Sequence, residues 1–209
     1  VVMANRAAGE GAEVVGTVTS DNEAMVQREL EYILEKAKED GTKYKVIKLV
    51  GSLTDANAIA RDNGFNAVAD ANPDVFDVVS EVATEWKGEL ALAGILSAFE
   101  ENPDVNMIFS PSDALLPSII SGLQQLDKYK KIGEEGHVTL VTFDGAKDAV
   151  DAIKEGYVDV VSVQDATNQA KLCIEAAVAA VKGEEVESMT DPGFEVTADN
   201  VDELGFEGY

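Results

Sequence analysis

The sequence predicts an α/β fold built from parallel, doubly wound sheets, and three observations carry this prediction. Strand-like runs alternate along the chain with helical segments of about ten to fifteen residues, which is the pattern of βαβ units. The runs Val105–Phe109 and Val138–Phe143 are almost wholly apolar, as expected for strands that helices cover on both faces. The 209 residues are 45% hydrophobic and 27% charged, which is typical of a globular protein with a sizeable core.

The first elements have clear local signals. Val1–Ala4 and Glu13–Thr19 are extended runs, and each predicts a strand. Ser20 and Glu23 have the spacing of a capping box, which predicts that a helix begins there. The apolar residues that follow fall on one helical face, and the helix is expected to end at Asp40-Gly41.

The remaining elements follow from the same hydrophobic period and from the turn residues between them. The predicted strands are Tyr44–Val50, Val75–Ala83, Val105–Phe109, Val138–Phe143 and Val158–Val163. The predicted helices are Asn57–Ala71, Glu89–Glu101, Leu115–Tyr129, Ala146–Glu155 and Thr167–Lys182. The segment that contains Asp191-Pro192-Gly193 is predicted to be a turn-rich tail.

Charge and cysteine content exclude several classes of function. The chain has 16 Lys+Arg against 40 Asp+Glu, a formal net charge of −24. Such an acidic surface repels phosphate backbones and anionic lipid headgroups, so nucleic acid and membrane surfaces are poor partners. Cys173 is the single cysteine, which excludes an internal disulfide and a cysteine-based zinc site.

Hydrogen-bonding side chains follow nearly every predicted strand. In an open parallel sheet, ligands bind beyond the carboxyl ends of the strands, so these side chains are expected at one edge. Carboxylates, amides, a guanidinium and an indole suit a neutral polyhydroxylated ligand, because hydroxyls both donate and accept and because sugar C–H faces stack on aromatic rings. The residues concerned are Asn5, Arg6, Asp55, Trp86, Ser110, Ser112, Asp113, Asp144, Gln164 and Asp165.

Structural interpretations compete with this one. Asp113 and Asp165 are equally well placed to cap the helices that follow them. A lone tryptophan such as Trp86 is more often a core residue than a ligand platform, and His137 is interpreted as a loop residue. The sequence has no dinucleotide-binding, phosphate-loop or nucleophile-elbow motif, so neither a cofactor nor a catalytic residue is expected.

Several segments, in the same order along almost the whole chain, resemble the ribose- and galactose-type periplasmic sugar-binding proteins of ABC importers, which have the type I periplasmic binding protein fold. They resemble more distantly the effector domains of lac-repressor-type regulators. The segments are residues 1–6 (VVMANR), 17–22 (TVTSDN), 102–105 (NPDV), 112–114 (SDA), 143–145 (FDG) with 152–156 (AIKEG), and 164–170 (QDATNQA).

The resemblance implies two lobes that close on a ligand about a hinge of three crossover segments. Residues 1–20 would then be the end of the N-terminal lobe and the first hinge, and residues 21–164 the C-terminal lobe. Residues 165–187 would be the return helix of the N-terminal lobe, and residues 188–209 the third crossover and C-terminal tail. The front of the N-terminal lobe is expected to be missing, so that a preceding segment or a second chain covers the incomplete lobe.

The family's ligand contacts carry over to Asn5, Arg6, Asp55, Trp86, Ser112, Asp144 and Gln164, with Trp86 stacking on the sugar ring. Ser112 stands where the family usually has asparagine. Ile59 stands where an arginine often reaches the sugar, and Arg61, two residues on, is expected on a different helical face. Lys36 and Lys38 occupy positions that a calcium loop would fill with acidic residues, so no metal site is expected.

The resemblance therefore implies an extracytoplasmic solute-binding protein, in a periplasm or tethered as a cell-surface lipoprotein. Such a protein captures a monosaccharide, a hexose or a pentose, by hinge closure and delivers it to the membrane permease of an ABC importer. The alternatives are the effector-binding domain of a transcription regulator, a chemotaxis sugar receptor and a sugar-processing enzyme. The identity of the sugar, and even a non-sugar polar ligand, stay open.

Overall fold

The computed structural model describes residues 1–9 and 11–209. In chain order its strands are β1 (Val2–Ala4), β2 (Gly16–Ser20), β3 (Tyr44–Val50), β4 (Phe76–Ala83), β5 (Met107–Phe109), β6 (Thr139–Asp144), β7 (Val160–Val163), β8 (Met189–Asp191) and β9 (Phe194–Thr197). Its α-helices are α1 (Asn22–Asp40), α2 (Ala56–Ala71), α3 (Gly88–Glu101), α4 (Leu116–Gln125), α5 (Lys147–Lys154), α6 (Ala166–Val181) and α7 (Val201–Leu204), and a 3₁₀ helix spans Asp113–Leu115. The alternation of strands and helices confirms the predicted α/β class.

The strands form two separate sheets. The larger sheet has six strands in the order β4-β3-β5-β6-β7-β9, all parallel to their neighbours except β9, which is antiparallel to β7. The smaller sheet has three parallel strands in the order β1-β2-β8. Parallel neighbours need a crossover between them, and in the larger sheet helices α2 to α5 supply it, as the alternating pattern predicts.

Helices cover both faces of the larger sheet, and a hydrophobic cluster lies on each side. Successive residues of a strand point to opposite faces, so β5 contributes to both clusters. Met107 and Phe109 pack in the cluster that contains residues of α1 and α2, whereas Ile108 packs in the cluster that contains residues of α3, α4 and α5. This burial on both faces explains why the β5 and β6 segments of the sequence are almost wholly apolar.

The chain passes between the two sheets three times. It leaves the smaller sheet after Ser20, returns to it after Gln164 and leaves it again after Asp191. Asp191 is buried and ties the three passages together: its backbone oxygen accepts from the backbone N–H of Asp21 at 3.0 Å, and its carboxylate accepts from the N–H of Asp165 at 3.0 Å. The three connecting segments are therefore joined at a single residue.

Helix α1 begins differently from the prediction. Its N-cap is Asp21, whose carboxylate accepts from the N–H of Ala24 at 3.2 Å, so the capping box that begins at Ser20 is wrong. The Ser20 hydroxyl instead accepts from the side-chain amide of Gln169 at 2.7 Å, because α6 lies against the smaller sheet at this point. The predicted end is confirmed, since Gly41 adopts a left-handed conformation with a φ of 79°.

Two further predictions are wrong. The segment predicted to be a turn-rich tail contains β8, β9 and α7, and β9 completes an edge of the larger sheet. Helix α4 ends at Gln125, four residues before the predicted end, because Leu126 and Asp127 leave the helical conformation, with φ of 54° at Asp127.

The smaller sheet is less covered than the larger one. Helix α6 packs against it, but Ile174, Val178 and Val181 on this helix are 65%, 46% and 90% exposed. Among the described residues, no helix has both the length and the apolar content needed to cross a bilayer.

Candidate functional site

A cavity of about 310 Å³ lies between the two sheets, at the carboxyl ends of their strands. Its lining comprises Asn5, Arg6, Asn57, Arg61, Trp86, Ser112, Ala114, Asp144 and Gln164. Of the seven side chains to which the family's ligand contacts carry over, six therefore line one cavity, and the seventh, Asp55, lies directly behind it.

The topology explains why these side chains meet. Asn5 follows β1 of the smaller sheet, whereas Trp86 and Ser112 follow β4 and β5 of the larger sheet. Asp144 is the last residue of β6, and Gln164 follows β7 directly. The carboxyl ends of parallel strands lie at one edge of a sheet, so residues far apart in sequence converge where the edges of the two sheets face each other.

Asp144 is the centre of a hydrogen-bond network on one wall of the cavity. Its carboxylate accepts from the Ser112 hydroxyl at 2.6 Å and from the Gln164 amide at 2.7 Å. A nitrogen of the Arg61 guanidinium lies 3.1 Å from the same carboxylate. The oxygen of the Gln164 amide is buried and has no partner within the described structure, so it is free to accept a hydrogen bond from a ligand.

Arg61 lines the cavity, although the sequence did not predict it there. It was expected on a different helical face from the site, but its guanidinium lines the cavity and Arg61 is only 3% exposed. It stacks on the Phe143 ring at 3.8 Å and donates to the Asn22 side chain at 2.8 Å. Burial lowers the pKa of Arg61, and the charge of Asp144 opposes that shift, so the guanidinium stays protonated.

Asp55 organises the opposite wall. Its carboxylate caps helix α2 by accepting from the N–H of Asn57 at 2.9 Å, and it forms an ion pair with Arg6. It also accepts from the indole N–H of Trp86 at 3.2 Å. Burial raises the pKa of Asp55, but the bonds from Arg6 and Asn57 outweigh burial, so the net pKa lies below its ordinary value. Asp55 is therefore a carboxylate with three donors already bound.

Asn57 is a second lining residue that the sequence analysis did not single out. Its side-chain amide donates to the side-chain oxygen of Asn5 at 3.3 Å and thus links α2 to the end of β1. The helix predicted to begin at Asn57 begins at Ala56, with Asp55 as its N-cap. Asn57 therefore lies in the first turn of α2, beside the Asp55 carboxylate. Ile59, where the family often has arginine, is 46% exposed and is absent from the lining residues.

Three site residues have left-handed backbones. The φ angles of Asn5, Trp86 and Asp144 are 64°, 60° and 116°, a region that side-chain-bearing residues rarely adopt. Such conformations persist only where the surrounding structure imposes them, and they concentrate at functional sites. In each case the turn re-aims a side chain at the end of a strand toward the cavity.

The Trp86 ring packs on a glycine. A Cβ on Gly51 would lie 2.3 Å from two carbons of the indole, so the absence of a side chain there lets the ring approach the end of β3. Trp86 is only partly buried and lines the cavity, which is not the position of a core side chain.

The residues that flank the site have structural partners. Asp113 is outside the cavity lining and accepts from the backbone N–H groups of Gly145 and Ala146 at 2.8 and 2.7 Å, which fixes the turn after β6. Burial raises its pKa to about 7. It is not a helix cap, because the preceding Ser112 caps the 3₁₀ helix, whereas Asp165 does cap α6. Within the described residues, no group of three or more His, Cys, Asp or Glu side chains could hold a metal ion.

The comparisons with known proteins agree on one family. The sequence model of the periplasmic binding protein domain matches residues 1–185. The chain is 29% identical over 207 residues to a xylitol-binding protein of Mycolicibacterium smegmatis, covering 96% of this chain and 55% of that one. It is 28% identical over 191 residues to the ribose import binding protein RbsB of Escherichia coli, covering 90% and 59%. The chain thus spans little more than half the length of these curated relatives.

Solved structures show the same fold. An ABC transporter solute binding protein from Agrobacterium vitis, bound with α-D-tagatopyranose, superposes with a TM-score of 0.82 at 19% identity, covering 100% of this chain and 70% of that one. One from Bacillus halodurans, with bound myo-inositol, has a TM-score of 0.80 at 22% identity, covering 97% and 67%. Together with the sequence match over residues 1–185, this similarity establishes that the chain belongs to the periplasmic binding protein domain family.

Proposed function

We propose that this chain is part of an extracytoplasmic solute-binding protein, which captures a monosaccharide between two lobes and delivers it to the permease of an ABC importer. The observation that carries the proposal is the pairing of charge at the cavity. The charged groups at the site form two opposite pairs, Arg6 with Asp55 and Arg61 with Asp144. A site whose charges are already balanced favours a neutral ligand with many hydrogen-bonding groups over an ion.

Each side chain has a distinct role in the proposal. Trp86 stacks on the apolar face of the sugar ring, and Arg6, of which the side chain is 59% exposed, donates to hydroxyls. The free oxygen of Gln164 accepts from a hydroxyl, and Asn5 and Ser112 complete the polar ring. Asp144 accepts hydroxyl hydrogen bonds beside its protein donors. Asp55 holds Arg6 and Trp86 in place and accepts from the ligand on closure.

The size of the cavity supports a small ligand. At about 310 Å³ it lies at the lower end of the range for small-molecule pockets. The names of the curated relatives specify xylitol, ribose and D-apiose, and these are all small neutral polyols or sugars. We therefore propose a pentose, a pentitol or a hexose as the ligand of this chain.

Closure is proposed to occur about the three passages between the sheets. They are short, they lie side by side, and Asp191 joins them. Residues that take up a hinge motion are typically a few positions at the ends of elements, as these are. We assign residues 1–20 and 165–187 to one lobe and residues 21–164 to the other, with residues 188–209 as the third crossover and the tail.

The exposed apolar side chains of α6 support a further proposal for the smaller lobe. Ile174, Val178 and Val181 form a contiguous apolar surface on this helix, and such surfaces are normally covered. We propose that a further segment of the protein or a second chain packs against it.

Delivery to a membrane permease requires the whole protein to lie outside the cytoplasm, so we propose that it is in a periplasm or on a cell surface.

Fluorescence titration of the complete gene product tests the proposal. Trp86 is the one tryptophan of this chain and lines the cavity, so ribose, xylitol, D-apiose, D-allose and myo-inositol are titrated against its emission. A saturable change with one of them supports the proposal, and recovery of that compound unaltered after incubation supports binding without catalysis. No change with any compound, in protein shown to be folded by circular dichroism, contradicts a sugar ligand. A transformed compound contradicts the assignment as a binding protein.

A further inference from the structure

The last residue of the chain contacts two segments that carry site residues. The backbone N–H of Tyr209 donates to the carbonyl oxygen of Gly145 at 3.1 Å, and its carbonyl oxygen accepts from the N–H of Lys147 at 3.2 Å. Gly145 directly follows Asp144, the centre of the network in the cavity. The backbone of Tyr209 thus fixes the turn in which Asp144 lies.

The side chain of Tyr209 reaches the second passage between the sheets. Its hydroxyl donates to the carboxylate of Asp165 at 3.2 Å and accepts from the N–H of Ala166 at 3.0 Å. Asp165 follows Gln164, whose amide binds Asp144 in the cavity. A single residue therefore bonds to the neighbours of two site residues, one at the end of β6 and one at the end of β7.

The tail, residues 205–209, is built to hold Tyr209 there. The Phe206 ring packs edge-on against both Tyr209 and Phe194, with ring centroids 5.2 Å apart in each case. Gly208 has a φ of 85°, and a Cβ on it would lie 2.3 Å from the Cα of Lys147. Only glycine permits this approach of the tail to the backbone that follows the site.

A second cavity, of about 260 Å³, lies between Tyr209 and the first. Asn5, Asp144 and Gln164 line both cavities, and Tyr209, Ala146, Ala166 and Gln169 complete the second. Tyr209 is 52% exposed, so it sits at an open side of this second cavity and not in the core. The three shared side chains have the proposed ligand on one side and Tyr209 on the other.

From these contacts we infer that Tyr209 is a positioning residue for the site. It holds the turn at Asp144–Gly145 and the passage at Gln164–Asp165 in one relative arrangement, so that both side chains are preorganised for the ligand. A site held in its binding geometry before the ligand arrives loses less entropy on binding and therefore binds more tightly. This inference rests on the proposed function for its effect on affinity, but the arrangement itself can be measured without a ligand.

The first test is Tyr209→Phe, which keeps the ring and its packing on Phe206 but removes both hydroxyl bonds. We expect amide hydrogen exchange to accelerate most in residues 165–169, which lose the hydroxyl bonds, and less in residues 144–147, which keep their bonds to the Tyr209 backbone but lose the anchor that holds the tail against them. Exchange is expected to stay unchanged elsewhere. The dissociation constant for whichever of ribose, xylitol or myo-inositol binds the wild type is expected to rise about three- to tenfold, the usual value of one or two hydrogen bonds. The matched control is Tyr129→Phe, since Tyr129 stacks on Tyr157 at the opposite end of the sheet.

A second variant moves Tyr209 without altering it. Gly208→Ala introduces a Cβ against the backbone of Lys147, and it should produce the same two effects as Tyr209→Phe, at equal or larger size. Its control is Gly156→Ala, because Gly156 has nearly the same φ, 84°, and nothing within 4 Å of an added Cβ. The control separates loss of the tail contact from the backbone strain common to both substitutions.

The outcomes separate this inference from the proposed function. Faster exchange confined to the two segments, together with weaker binding, supports a positioning role. Unchanged exchange in Tyr209→Phe, faster exchange over the whole molecule, or unchanged affinity in a wild type that does bind, overturns it. If the wild type binds none of the three compounds, it is the proposed function that fails, and the exchange data alone decide for or against the role of Tyr209.

Discussion

At the scale of single residues, the site depends on space as much as on hydrogen-bonding groups. The Trp86 ring lies where a side chain at Gly51 would be, and its N–H is held by Asp55. The ring is therefore fixed by one close contact and one hydrogen bond. Trp86 has a φ of 60°, and such a backbone conformation persists only where the surrounding structure imposes it.

Gly51→Ala is expected to displace the Trp86 ring. The emission maximum should shift in the absence of any ligand, and the affinity for a stacked sugar should fall by about 1–2 kcal/mol because the ring leaves its platform position. Gly51 has no positive φ, so the substitution tests space and not backbone strain. Fluorescence and titration calorimetry measure the two effects.

The matched control is Gly9→Ala, because nothing lies within 4 Å of a Cβ added there. It should leave both the emission and the affinity of the wild type unchanged. An unshifted emission maximum in Gly51→Ala would show that the ring has another resting position, and the packing argument would then be wrong.

At the scale of elements, strand β3 carries a lysine through the interior of the larger sheet. Lys48 is 3% exposed, and its ammonium donates to Asp62 and Asn66 of α2 at 2.7 and 2.9 Å and pairs with Glu81 of β4 at 2.7 Å. Burial lowers the pKa of Lys48, but these bonds outweigh burial and the net pKa is raised. The charged form is therefore the one that joins α2 to the edge strand β4.

Lys48→Met is expected to lower the free energy of unfolding by about 1–3 kcal/mol, because it removes three bonds while keeping the length of the side chain. The carboxylates of Asp62 and Glu81 remain partly exposed, which limits the cost. Urea unfolding measures the change. The control is Lys45→Met on the same strand: Lys45 pairs with Asp104 at the surface, so this substitution should lower the free energy of unfolding by less than Lys48→Met does. If the two substitutions lowered the free energy of unfolding equally, the argument that burial strengthens the contacts of Lys48 would be wrong.

His137 joins the loop before β6 to the start of β7. One ring nitrogen lies 3.1 Å from the Asp159 carboxylate and the other lies 2.9 Å from the carbonyl oxygen of Lys130. Burial lowers the pKa of His137, but the bonds to Asp159 outweigh burial, so the net pKa is above its ordinary value. Both ring nitrogens face acceptors, so the protonated form, with two N–H donors, is the one that satisfies both contacts.

Stability from this contact should depend on pH. Because the pKa is raised on folding, the contribution is fully present below the unfolded pKa of about 6.5 and is lost as the pH rises through the folded value. The difference in unfolding free energy between wild type and His137→Gln should therefore be larger at pH 5.5 than at pH 9. Asp113 also titrates between pH 5.5 and 9, but it is present in both proteins, so its contribution to the free energy of unfolding cancels in the difference. A larger difference at pH 9 would contradict the assigned protonation.

At the scale of the whole molecule, charge repulsion opposes folding. The net charge of −24 on 209 residues places like charges close together over the surface. Several carboxylates have a basic partner, but 40 acidic residues outnumber 16 basic ones, so pairing relieves only part of the repulsion. Salt shortens the screening length from about 10 Å at 0.1 M to about 3 Å at 1 M.

The melting temperature is therefore expected to rise as NaCl increases from about 0.05 to 1 M, because repulsion between unpaired carboxylates is screened more than the short ion pairs are. Differential scanning calorimetry measures the rise. Choline chloride serves as the control, since a general screening effect does not depend on which cation is used. A melting temperature that falls with salt would show that attractive pairs dominate the electrostatics of this fold.

Local sequence pattern predicts the α/β class, most of the strands and the polar residues that follow them. Hydrophobic period indicates which face of an element is buried, and the carboxyl ends of parallel strands share an edge, so local pattern predicts that Ser112, Asp144 and Gln164 converge. Asn5 follows a strand of the smaller sheet, and it meets them because the edges of the two sheets face each other. Asp40-Gly41 ended a helix as predicted, because the conformational requirement of that position is local.

Several other features depend on contacts between segments that are distant in sequence, and local pattern does not predict those contacts. The cap of α1 moved to Asp21 because Ser20 is bound by Gln169, which is remote in sequence. Strand β9 forms because it pairs with the free edge of β7. The tail has no periodic pattern that would predict this pairing. Arg61 lines the cavity because its guanidinium stacks on Phe143, donates to Asn22 and pairs with Asp144. Helical period locates a Cα on a face, but it does not fix where a flexible guanidinium ends.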